Sequence, residues 1–339
     1  MSKPQVLAWA ADSPAGPLDI TINLAKPEKD PRDIAQAAEP GSAMGAGGDC
    51  VLCWQRTADG SLTCAGAGGG AVQPVRLGDE EWAWWFSPYG YFPEHVIVSA
   101  PVHRPMAIDR GTIGRLIDFA DAYPQWFIGS NADLPIVGGS LLAHDHFQGG
   151  GYRFPLMKAP VRRCFALPGL EGVQAGIVRW PASVVRLRAP GRGALLEAAG
   201  RVLEAWRTFV WEPSGIRPWT DEPGDAGPSE RRYHNTANPI LWREGDDYVM
   251  DLVLRNNRTT PEHPCGLFHV PERLFHIKKE NIGLIEIMGR AILPGRLAAE
   301  LPEVRPVCDA AYYEILQAAG VFKDDECGCA GWAAFIATL

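Results

Sequence analysis

With 339 residues, 46% of them apolar and 21% charged, the chain has enough apolar content to bury a large core, as one large domain or two of moderate size. Its formal charge of −8 is spread without a basic block, which excludes nucleic acid and anionic membranes as electrostatic partners. No apolar run of about 18 residues is present to span a bilayer, and Met1 to Asp12 lacks the basic and apolar regions of a secretory signal, so a cytoplasmic location is expected.

In chain order, Leu18, Ile20, Ile22 and Leu24 alternate as a strand, and Asp30 with Pro31 caps a short helix through Ala38. After a Gly/Ala-rich break at 40 to 48, the apolar blocks Glu81 to Tyr91 and His95 to Ala100 read as paired strands. Residues 112 to 123 read as a helix with Leu116, Ile117, Phe119 and Ala120 inward, and 126 to 150 as strand and Gly-rich loop. A second block of similar plan follows. It has strands near Ile177 to Val178 and Ser183 to Leu187, a helix across Leu195 to Val210, and strands near Pro239 to Trp242 and Tyr248 to Leu254. Helical segments are expected at Ile282 to Leu293 and Ala310 to Ala319, and loops at 65 to 70 and 213 to 232. The two blocks suggest an internal duplication.

Eight cysteines, at 50, 53, 64, 164, 265, 308, 327 and 329, are scattered in a chain too large to need disulfide staples, a pattern that favours metal binding. The segment NADLPIVGGSLLAHDHFQGG, residues 131 to 150, holds most of the chemistry. In an extended strand, residues two apart point the same way, so His144, His146 and Gln148 would share one face while Asp145 and Phe147 take the other. A neutral imidazole is a competent nucleophile toward phosphorus. Gly138, Gly139 and Ser140, with Asn131 at the head of the segment, can offer backbone N–H groups and polar side chains to a phosphate. Gln148 can donate its amide to a non-bridging oxygen. Taken alone, a His-x-His pair also suits a structural pair or an adventitious metal site.

The segment resembles the His-x-His-x-Gln signature of galactose-1-phosphate uridylyltransferases of the Firmicutes-type second class, in the histidine-triad superfamily. The resemblance extends to LDITINLAKPEKDP (18 to 31), SPYGYFPEH (87 to 95), HRPM (103 to 106), AGIVRWPASVVRLR (175 to 188), DLVLRNNRTTPEHP (251 to 264) and HIKKENIGLIEIMGRAILPGRL (276 to 297). It implies an α+β fold of two tandem histidine-triad-like halves, residues 1–174 and 175–339, each a mainly antiparallel sheet with flanking helices. It makes His146 the nucleophile and Gln148 its phosphoryl-steadying partner. It assigns a structural Zn2+ to Cys50, Cys53, His103 and His144, a two-thiolate, two-imidazole set that tetrahedral zinc accepts. It places Lys278, Lys279, Asn281 and Glu286 near the sugar phosphate, and implies a homodimer that takes a nucleotide sugar and a sugar 1-phosphate.

The chain departs from the resemblance in having only 17 residues before the first strand, a Gly/Ala-rich insert between Cys53 and Trp82, and Pro271 and Phe275 where further histidines are expected. These departures argue against a second metal site and keep two alternatives open: a related nucleotidyltransferase or phosphorylase with another nucleotide or acceptor, and a silent sugar-nucleotide binding protein. His95 and His234 read as hydrogen-bonded structural histidines, and Cys327 and Cys329 as surface thiols.

Overall fold

A computed structural model describes residues 6–24, 50–139, 141–222, 230–300, 304–323 and 325–339. The chain is α+β. Its strands are β1 (Val6–Ala11), β2 (Leu18–Asn23), β3 (Trp54–Arg56), β4 (Leu62–Cys64), β5 (Val72–Leu77), β6 (Glu80–Phe86), β7 (Val96–Ser99), β8 (Phe127–Gly129) and β9 (His146–Gly150). They continue with β10 (Val161–Phe165), β11 (Gln174–Val178), β12 (Val184–Ala189), β13 (Trp219–Glu222), β14 (Glu230–Tyr233), β15 (Asn235–Glu244), β16 (Asp247–Asn256) and β17 (Arg290–Pro294). Among the described residues, twelve of them form one antiparallel sheet in the order β10-β11-β12-β16-β15-β8-β9-β7-β6-β5-β4-β3.

That order contains one plan twice. Three strands, a helix and two strands (β5, β6, β7, the helix Arg110–Ala122, β8, β9) lie side by side as β8-β9-β7-β6-β5. The run β10, β11, β12, the helix Arg192–Thr208, β15, β16 lies as β15-β16-β12-β11-β10. The two runs join where β8 pairs antiparallel with β15, Gly129 opposite Ile240 and Ile128 opposite Leu241. The helices mirror each other in their ion pairs as well. Arg110, the first residue of one, reaches Glu197 and Glu204 of the other, while Arg192, the first residue of that one, reaches back to Asp118 and Asp121.

Apolar spacing explains where the helices lie. Ile113, Leu116, Ile117 and Ala120 recur at helical period on one face, as do Leu195, Ala198, Ala199, Val202, Leu203 and Trp206, and all are buried. Both helices pack on the face of the sheet that carries Phe147, Trp82 and Ile128. The opposite face is covered by a three-stranded sheet, β1-β2-β17, and by the segment from Val270 to Ala319. The Asp109 side chain caps the first helix by accepting from the Thr112 N–H at 2.8 Å.

Several local expectations are corrected. The segment Ile282 to Leu293 is one helical turn, Leu284–Ile287, followed by β17, which lies parallel to β2. Gly289, with φ 97°, makes the break between them. Part of the 213 to 232 loop is the hairpin β13-β14, and the insert between Cys53 and Trp82 contributes β3, β4 and β5 to the large sheet. The short helix through Ala38 lies outside the described residues.

In the second run, Asp251 on β16 is fully buried and takes a two-pronged ion pair from Arg186 on the neighbouring β12, both contacts at 2.7 Å. Arg186 also donates to the carbonyls of Leu156 and Ala159. Removing one partner strands the other charge out of water, so Arg186→Ala is expected to cost about 3–5 kcal/mol of unfolding free energy, read by urea denaturation. Arg186→Ala together with Asp251→Ala should cost less than the sum of the two single substitutions.

Candidate active site and metal centre

The strand β9 is built to point its side chains two ways. Phe147 stacks on Trp82 at 4.9 Å between ring centres in the helix-facing core. Just before the strand, Asp145 is buried with Arg104 and Arg115 at 3.7 Å, and burial pushes its carboxyl up to about 6. His146 and Gln148 take the opposite face. Gln148 lies directly across from Gly129 of β8, and a Cβ at Gly129 would stand 3.3 Å from the Leu284 side chain. Cross-strand partners project to the same side, so the segment around Leu284 covers the face on which His146 and Gln148 sit.

The His146 imidazole is buried, and its Nδ1 lies 2.8 Å from the His144 carbonyl oxygen. A carbonyl only accepts, so Nδ1 carries the proton and donates it there. Nε2 is left as an unprotonated lone pair. Burial pushes the imidazolium down to about 4, which keeps the ring neutral near pH 7.

His144 faces away from this chemistry. Its Nε2 donates to the Ala100 carbonyl at 3.1 Å, with the Ser99 hydroxyl at 3.2 Å. Its Nδ1 therefore points at Cys50 Sγ (3.4 Å) and Cys53 Sγ (3.6 Å), while His103 Nδ1 lies 3.5 Å from Cys53 Sγ. The ligand atoms of Cys50, Cys53, His103 and His144 all fall within 4.8 Å of one another, a cluster able to hold a metal ion. An ion bound about 2.0–2.3 Å from four tetrahedral ligands sets their mutual distances near 3.3–3.8 Å, and the three sulfur–nitrogen distances lie in that range. Desolvation and the neighbouring Cys50 push the Cys53 thiol up to about 11, a penalty that a bound cation offsets. The cysteine loop is fastened to β7, where Ser99 Oγ donates to the Leu52 carbonyl and Trp54 Nε1 to the Ala100 carbonyl.

The remaining sequence-assigned residues fall in two groups. Asn131 Oδ1 accepts from the Leu284 N–H at 2.9 Å, so it ties the covering segment to the loop that carries Gly138 and Gly139. A Cβ at Gly139 would lie 2.6 Å from Asn131 Nδ2, and one at Gly138 would collide with the Ala132 carbonyl, so this loop packs closely only because both lack side chains. Ser140 lies outside the described residues. Lys278 is buried between Glu286 (2.7 Å) and Glu280 (3.3 Å). Burial pulls its ammonium down, but the two carboxylates outweigh it and the net direction is up. Glu286 Oε2 also accepts from the Gly283 N–H. Asn281 Oδ1 is 3.3 Å from His269 Nε2, and Lys279 is half-buried.

One residue of the site carries no role in the sequence reading beyond a structural hydrogen bond. His95, at the end of SPYGYFPEH, sits with Nε2 3.0 Å from Gln148 Oε1. Only the pairing of β7 with β9 brings the two together. His234 is held by Thr220 and Asn257.

Comparison with known proteins places the chain in a family. A protein of Lactiplantibacillus plantarum named galactose-1-phosphate uridylyltransferase is 41% identical over an alignment of 374 positions, covering 98% of this chain and 74% of the relative. The chain belongs to the galactose-1-phosphate uridylyltransferase family. Proteins of the same name from Halalkalibacterium halodurans and Bacillus subtilis are each 48% identical, over 86% and 87% of this chain. The chain spans 56% of the length of those two uridylyltransferases. No protein-family profile matches the chain. A solved uridylyltransferase mutant aligns at 12% identity with a TM-score of 0.30, over 66% of this chain and 78% of its own, a likeness too slight to bear on fold or function. Among the described residues of this uridylyltransferase-family chain, no helix is long and apolar enough to cross a membrane.

Proposed function

We propose that the chain is a nucleotidyltransferase that passes a uridylyl group between UDP-glucose and galactose 1-phosphate through a covalent bond to His146. The observation that carries this reading is the His146 Nδ1 donation to the His144 carbonyl, which leaves a neutral Nε2 lone pair on the face covered by the segment around Leu284. In the first half-reaction Nε2 attacks the α-phosphorus, the bond from phosphorus to the bridging oxygen breaks, and glucose 1-phosphate leaves with that oxygen. A phosphate oxygen of galactose 1-phosphate then attacks the phosphorus, and the bond to Nε2 breaks. The Gln148 amide donates to a non-bridging oxygen on which charge develops, and the N–H groups of Gly138 and Gly139 serve the remaining phosphate oxygens.

The metal centre is read as structural zinc, held by Cys50, Cys53, His103 and His144, because two thiolates and two imidazoles fill its four positions and leave none open for substrate. Its part is to hold the strand leading into His146. The residues 1–174 supply nucleophile and metal ligands, and 175–339 supply the acceptor residues Lys278, Lys279, Asn281 and Glu286. A homodimer is part of the same reading.

The reading is tested by intact-protein mass spectrometry after incubation with UDP-glucose. An acid-labile gain of one UMP, discharged by galactose 1-phosphate, is expected; no adduct with this or another nucleotide sugar would overturn it. Glu286→Gln removes a charge but keeps the shape and the Gly283 contact. It should raise the KM for galactose 1-phosphate about 10- to 100-fold, the scale of one charge-assisted hydrogen bond. Loading from UDP-glucose should change less than about twofold if Glu286 contacts only the acceptor. Equal losses in both half-reactions would remove the acceptor role.

A further inference from the structure

We propose that His95 is a positioning residue for the transfer step, holding the Gln148 amide so that its NH2 group, and not its oxygen, faces the phosphoryl group on His146. The proposal rests on the reading of His146 as the uridylyl carrier. An unrestrained glutamine presents oxygen or NH2 with nearly equal ease, and an oxygen turned to a phosphoryl group repels where the NH2 would donate. Something has to choose.

The choice follows from the His95 ring. Its Nε2 is 3.0 Å from Gln148 Oε1, and its Nδ1 is buried without a hydrogen-bond partner. If Nδ1 carried the proton, a buried N–H would be orphaned, which folded proteins very rarely tolerate; an orphaned lone pair costs less. Burial keeps the ring neutral, pushing it down to about 4, so its single proton belongs on Nε2. That proton goes to Gln148 Oε1, which leaves the Gln148 NH2 for the substrate side.

The backbone around His95 is built to hold this ring still. Phe92 packs on it with 4.3 Å between ring centres, and the His95 carbonyl accepts from the Ser87 N–H at 2.7 Å. The preceding residue, Glu94, has φ 55°, an uncommon conformation for a residue with a side chain. A Cβ at Gly150 would collide with the Glu94 carbonyl, and one at Gly151 with the Glu94 carboxylate. The glycines that end the nucleophile's strand thus receive the turn that delivers His95 to Gln148.

The test compares His95→Gln, His95→Asn, Gln148→Ala and the His95→Asn, Gln148→Ala double variant in single-turnover loading from UDP-glucose and discharge to galactose 1-phosphate. A glutamine at 95 can place its amide nitrogen where Nε2 stood; an asparagine falls short. His95→Asn is expected to slow both half-reactions about tenfold with KM unchanged, and His95→Gln to stay within about threefold of wild type. On the Gln148→Ala background, His95→Asn should cost less than about twofold, because no amide remains to be oriented. An undiminished loss in the double variant, or equal loss with asparagine and glutamine, overturns the positioning role even if both proteins fold and keep their metal. If asparagine unfolds the chain, a glutamine variant slowed more than about tenfold overturns it by itself. A wild-type protein that never acquires a UMP adduct overturns the functional reading instead, and is recognised before any variant is compared.

Discussion

His146→Ala is expected to abolish uridylyl transfer, with both half-reactions falling on the order of 10⁴- to 10⁶-fold and no acid-labile UMP adduct remaining. On the proposed reading the loss is large because the imidazole forms the bond that is made and broken, and no neighbouring group can take its place. His144 has Nδ1 turned to the cysteines and Nε2 held by the Ala100 carbonyl. Asp145 lies on the other side of the strand with Arg104 and Arg115. Since methylene and ring are removed together, His146→Gly leaves a space that added imidazole can enter, and partial rescue of turnover by imidazole is the expected companion result. Wild-type turnover in the alanine variant, or an adduct trapped on any other residue, would end the assignment.

Cys50→Ser is expected to release zinc and lower the melting temperature by roughly 5–10 °C, as loss of a metal site is among the few substitutions that cost about 4 kcal/mol or more. The ligand atoms of Cys50, Cys53, His103 and His144 lie within 4.8 Å of one another. A variant that cannot hold the ion leaves the partly buried thiols and imidazoles without the charge that would organise them. Residual transfer activity should survive in the fraction that stays folded, because on the proposed reading the metal ligand His144 stands two residues from the nucleophile and the metal does not act on the substrate. Metal analysis and thermal denaturation on the same preparation check both halves of the claim. Purified wild-type protein holding no zinc, or a Cys50–Cys53 disulfide in the folded chain, would remove it.

Local spacing carried much of this architecture. The helices Arg110–Ala122 and Arg192–Thr208 are legible because their apolar residues recur at helical period and are buried as that period demands. The strands β6, β7, β15 and β16 are legible as apolar blocks between turns. The helix expected through Leu293 failed because an apolar run alone does not distinguish helix from buried strand, and Gly289 was the available signal for the break. β3, β4 and β5 were missed because a Gly/Ala-rich stretch with few bulky residues gives little periodicity, and their strand character comes from successive pairing, β5 on β6, β4 on β5 and β3 on β4.

The sequence by itself determined the chemistry of the site: two histidines and a glutamine at alternate positions, and a cysteine pair with the donor types that a tetrahedral metal accepts. These depend on residue type and on separations of two or three positions along the chain, which the sequence states outright. The tertiary structure decided which way each group faces. It turned His144 to the cysteines and freed Nε2 of His146, set His95 against Gln148 from 53 positions away, and tied Asn131 to Leu284 across 153. Contacts across such separations depend on strand register and on how the layers stack, and those are settled only when the whole core packs.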